Sequence, residues 1–133
     1  MAKNIRIWTN AGAPALGTYT QAIRVGDLVF VTGQTGRNPE TGALEDGLEA
    51  QTRRTLTNVE AILQAGGCTV ADIAKVTLIM ANIEDFKVID RIYAEWLPIR
   101  GVTALPARTA FAAKDLPHGA LVMLDCIASF PGD

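Results

Sequence analysis

Apolar positions along this chain recur at helical spacing in two places and alternate in most of the others. From Leu48 to Ala65, Leu56, Val59 and Leu63 fall on one stripe with Ile62 beside them, while Glu49, Arg53, Arg54 and Glu60 lie off it. Gly66-Gly67 then supplies the left-handed residue that closes such a helix. A second stripe runs through Phe86, Ile89, Tyr93 and Trp96, opened by Asn82 and Asp85 and ended at Pro98. Residues 5–8 predict a short first strand, and residues 11–17 are a loop by composition. An extended segment opens at Tyr19 and reaches Val25, Gly26-Asp27 turns the chain, and residues 28–32 return as a strand ending in Gly33-Gln34. Residues 37–42 read as a surface turn. Residues 76–80 are rich in β-formers. Pro106 forbids a helix interior, so the residues after it read as a strand, and the run from Ala120 to Phe130 is the last one.

The order is strand-strand, helix, strand, helix, strand-strand, with hairpins expected at both ends. It predicts a single α+β domain over residues 1–133, with two helices on one face of a mostly antiparallel sheet. Leu28 and Phe30 on one side and Val29 and Val31 on the other make that strand apolar on both faces, and the last strand is similar. Two helices cover one face, so the other needs a second copy of the chain, and a homo-oligomer is expected.

Composition narrows the functional classes. With 133 residues, 49% hydrophobic and 20% charged, the chain can bury one real core. A net charge of -2 with scattered basic residues argues against binding nucleic acid by phosphate neutralisation. No apolar run is long enough to cross a bilayer, and the opening Met1-Ala2-Lys3-Asn4-Ile5-Arg6 lacks the apolar core of a leader, so the expected location is the cytoplasm. Cys68, Cys126 and the single His118 lack metal-ligand spacing; both thiols are expected reduced, and neither a metal nor a cofactor is implied. One serine, Ser129, and one histidine make a serine triad untenable, and nothing local supports a Cys68–His118 dyad.

Arg108 remains. On a strand it shares a side with Ala110 and Ala112, which leaves space before its guanidinium for a small carboxylate. An arginine that reaches water or pairs with a carboxylate of the chain is the competing account.

The segments Gly17-Thr18-Tyr19-Thr20-Gln21-Ala22, Val31-Thr32-Gly33-Gln34, Asn38-Pro39-Glu40-Thr41-Gly42, 51–58, Ala65-Gly66 with Asp72-Ile73, and Pro106-Ala107-Arg108 together resemble the RidA/YjgF family over nearly the whole chain. The resemblance implies a chorismate-mutase-like fold, a six-stranded sheet with two helices, assembled as a homotrimer with pockets between subunits. It implies hydrolytic deamination of small 2-imino or 2-enamino carboxylates, such as 2-aminoacrylate, to a 2-keto acid and ammonia. Arg108 would hold the substrate carboxylate, with the Gly33 backbone N–H and Tyr19 completing the pocket and Thr32 and Phe86 at the substrate. Three positions depart from the pattern: Met123 replaces the water-activating glutamate, Asp90 a pocket asparagine, and Ala110 a small thiol. Asp125, on the same strand face as Met123, is then the candidate base. Two alternatives belong to the same family: a non-catalytic trimer that binds or senses small carboxylates, and a deaminase of a larger amino-dienoate such as 2-aminomuconate. The family's older ribonuclease or translation-inhibitor label is opposed by the acidic balance of the chain.

Overall fold

A computed structural model describes residues 3–132; Met1 and Ala2, part of the opening stretch read for a leader, lie outside it, as does Asp133. The elements are β1 (Ile5–Ile7), β2 (Ala22–Val25), β3 (Leu28–Gln34), α1 (Leu48–Ala65), β4 (Ile73–Met80), α2 (Phe86–Ile99), β5 (Ala107–Ala112) and β6 (Val122–Ser129). They form one six-stranded sheet in the order β1-β2-β3-β6-β4-β5. The hairpin at Gly26 forms with a positive φ of 59°, and Gly67 closes α1 with a φ of 80°. Asn82 caps a single 3-10 turn, accepting from the Glu84 amide at 3.0 Å, and α2 starts immediately after it. Pro98 stands inside the last turn of α2 rather than just beyond it.

The second expected hairpin does not form. β6 inserts between β3 and β4, antiparallel to both, and β5 lies outside β4 as its parallel neighbour. Burial explains the choice. The side chains of β6 alternate between buried and half-buried, which suits a central strand, whereas every residue of β5 is exposed.

Both helices cover one face. Val29, Val31, Val76, Leu78, Met80, Val122 and Leu124 pack beneath Val59, Ile62, Leu63, Ile89 and Leu97. The other face is open and largely apolar: Phe30 opposes Ile127, and Ile79 lies between Met123 and Phe111. Phe30 is 40% exposed and Phe111 44%. No helix among the described residues is long and apolar enough to cross a membrane.

Candidate functional site

A cavity of about 260 Å³ opens at the end of β3. Its floor is an irregularity: the ladder with β6 shifts register between Val31 and Gln34, which takes Thr32 and Gly33 out of regular pairing. Thr32 is fixed by its hydroxyl donating to the Thr20 carbonyl at 2.6 Å and its amide donating to the Gln21 carbonyl at 2.9 Å. Gly33 is glycine for a packing reason. A Cβ there would stand 2.8 Å from the Met123 sulfur, so the thioether lies directly over this backbone. Tyr19 forms a wall, its phenol oxygen accepting from the Leu16 amide at 3.2 Å. The loop before it is held by the Gln21 side chain, which bonds both backbone groups of Thr9 and donates to the Ala13 carbonyl.

The back of this cavity is fastened to α1. Asn58, fully buried, donates to the carbonyls of Thr35 (3.1 Å) and Arg37 (2.9 Å). Gly36 lets the helix come that close, since a Cβ would lie 2.5 Å from the Gln51 carbonyl oxygen. Arg37, expected in a surface turn, is instead buried at 7% exposure and forms part of the cavity wall. The helix contact at Gly36 pulls that residue inward. His118, at the rim, is exposed and holds a left-handed backbone with φ 59°.

Arg108 lies elsewhere. It aligns with Val76 of β4, so it faces the helices, and its Nη1 donates to the Asp90 carboxylate of α2 at 2.6 Å. Its guanidinium carbon is 5.2 Å from the Phe86 ring centre and 5.3 Å from that of Tyr93. The space expected in front of Arg108 therefore already holds a carboxylate of the chain. A second cavity adjoins the pair, walled by Tyr93, Leu97, Leu105 and Pro106. The Tyr93 hydroxyl is buried without a partner, and burial pushes its pKa up while the Arg108 charge opposes the shift.

The predicted residues thus divide into two groups within one protomer. Tyr19, Thr32, Gly33 and Met123 meet at the first cavity; Arg108 and Asp90 meet at the second, and Phe86 lies against the Arg108 guanidinium without lining that cavity. Three strand spacings separate β3 from β5, roughly 14 Å. Ala110 shares the Arg108 face of β5, and Asp125 shares the open face with Met123, opposite Thr77, but lines neither cavity. Arg37 and His118 had no signal in the sequence beyond their charge. Both cysteines are buried; burial raises the Cys68 thiol, helped by Asp72, and pushes Cys126 up to about 12, helped by Asp125. Neither is a thiolate at neutral pH, and Cys68 sits in the core, apart from His118 at the cavity rim.

A family model described as endoribonuclease L-PSP matches residues 10–130. The goat (Capra hircus) enzyme named 2-iminobutanoate/2-iminopropanoate deaminase is 34% identical over 92% of this chain and 88% of its own. The crystal structure of the Escherichia coli YjgF gene product superposes with a TM-score of 0.90 at 30% identity, over 94% of this chain and 98% of that one. The chain belongs to the RidA/YjgF family. A second family structure, Escherichia coli TdcF with bound serine, matches with a TM-score of 0.91, 30% identity and the same coverage. The family names span deaminase and endoribonuclease, so membership fixes the fold and leaves the reaction to the site.

Proposed function

We propose that the protein hydrolyses small 2-imino or 2-enamino carboxylates to 2-keto acids and ammonia. The observation that carries this reading is the cavity of Tyr19, Gly33 and Met123, built on the fold of a family that includes a named imine deaminase. An enamine first gains a proton at its β-carbon and loses one from nitrogen, giving the imine. Water then adds to the C=N carbon, the carbinolamine collapses, ammonia leaves and a C=O remains; an imine is electrophilic enough to need little activation. Arg108 is the proposed carboxylate clamp. A small substrate cannot bridge the roughly 14 Å between Gly33 and Arg108 of one protomer. The proposed catalytic unit is therefore a homotrimer in which neighbouring copies bring the two cavities together over the open apolar face. Light scattering is expected to give three times 14.2 kDa; a stable monomer at micromolar concentration would remove the shared pocket.

Met123 can neither take nor give a proton, so the base must be another group, and Asp125 on the same face is the first candidate. The test is ammonia release from freshly generated 2-aminoacrylate, with Arg108→Ala and Asp125→Asn assayed beside the wild type. Loss of turnover in Arg108→Ala supports the clamp; equal rates in wild type and Arg108→Ala sink it. A second reading, a trimer that binds small carboxylates without turning them over, is favoured by the same Met123 and by the Asp90–Arg108 pair. Binding of 2-oxobutyrate with no turnover of any imine would select it.

A further inference from the structure

The Gly33 cavity carries a charge that the chain itself leaves unanswered. Nη2 of Arg37 donates to the Pro14 carbonyl at 2.6 Å, but Nη1 is buried with no partner. Among the described residues no carboxylate forms an ion pair with Arg37, while seven such contacts involve other arginines. None of the residues lining the cavity is acidic, and His118 at the rim can only add positive charge. A buried cation without a counter-charge is costly unless something compensates it. The site is also built rather than incidental, because Asn58 and the close approach at Gly36 lock the backbone from Thr35 to Arg37 against α1.

Resting on the deaminase reading of this cavity, the geometry points to a substrate with a second carboxylate: an imine or enamine of a small dicarboxylic acid, whose distal anion answers Arg37. The 2-carboxylate remains with Arg108. The second carboxylate takes no part in the bond changes; water still adds to the C=N carbon and ammonia still leaves. A cavity of about 260 Å³ has room for a short-chain diacid. Arg37 is then a specificity residue.

The test is calorimetry on the assembled protein with two stable keto acids, 2-oxobutyrate and 2-oxoglutarate, for wild type, Arg37→Met and Arg37→Lys. The wild type is expected to bind 2-oxoglutarate about tenfold or more tighter, the scale of a hydrogen bond to a charged group. Arg37→Met removes that preference, and Arg37→Lys keeps part of it. A wild type without the preference overturns the proposal whether or not either variant folds, and so does a preference that survives Arg37→Met. Ammonia release on the same preparations separates the two readings. Arg37-dependent binding of 2-oxoglutarate with no imine turned over keeps the subsite and removes the deaminase. Turnover of 2-aminoacrylate with no preference for the diacid does the reverse.

Discussion

Arg37 and Arg108 are the two arginines that border cavities of interest, and they are in opposite circumstances. Arg108 is exposed on an edge strand, and its charge is met by Asp90 at 2.6 Å. Arg37 is buried as part of a cavity wall that has no carboxylate, and half of its guanidinium fork has no partner. Exposure decides what each can do. The Asp90–Arg108 pair is well hydrated, with side chains 41% and 27% exposed, so its net worth is about 0–1 kcal/mol and an incoming carboxylate can compete for the guanidinium. Arg37 has no competitor within the chain, and the low dielectric around it strengthens its field in the cavity. The site described first by sequence is thus partly self-neutralised, and the charge overlooked by sequence is the unneutralised one.

The largest expected effect tests the Arg37 side. Met123→Glu would put a carboxylate over Gly33, where the thioether now lies. If the missing base limits hydrolysis, the rate on 2-aminoacrylate rises at least tenfold, within the ~10²- to 10⁴-fold range of a positioned general base. The same change supplies Arg37 with a counter-charge and should abolish any preference for a diacid. A wild type that is already fast and indifferent to Met123→Glu and Asp125→Asn would mean that water is activated elsewhere.

Next in size is Arg108→Ala, expected to weaken binding of 2-oxobutyrate by about 1.5–3 kcal/mol. Arg108→Lys should recover only part of it, because an ammonium cannot make the planar two-point contact. Unchanged affinity on the folded protein would reduce Arg108 to a partner of Asp90.

The smallest effect sharpens the contrast directly. Asp90→Asn keeps the shape of the side chain but removes the competing charge, so 2-oxobutyrate should bind more tightly, by at most about 1 kcal/mol given the exposure of the pair. Titration calorimetry at low salt reads this best, since salt screens the pair. Weaker binding in Asp90→Asn would mean that Asp90 orients Arg108 rather than competing with the ligand.

The helices, the Gly26 hairpin and the two-sided apolar strands were legible in the sequence because each depends on local pattern: a 3.6-residue stripe, a glycine able to take positive φ, alternation over a few residues. The family motifs likewise marked Tyr19, Gly33, Met123 and Arg108 as site residues, and the structure brings three of these four into one cavity. What the sequence could not give was which strands lie side by side. Residues 107–112 and 122–129 are consecutive strands joined by a turn, and a hairpin was the natural expectation. Only the competition for central positions, paired on both edges, inserted β6 between β3 and β4 and left β5 at the edge. That arrangement set Arg108 against α2 and within reach of Asp90, 18 residues earlier in the chain. Arg37 was illegible for the same reason. A polar turn of residues 37–42 looks solvated until Gly36 is pressed on the Gln51 backbone and Asn58 ties the Thr35 and Arg37 carbonyls to α1, a helix that begins twelve residues after Gly36. Local periodicity fixes an element, but the burial of a charge depends on what the rest of the chain lays over it.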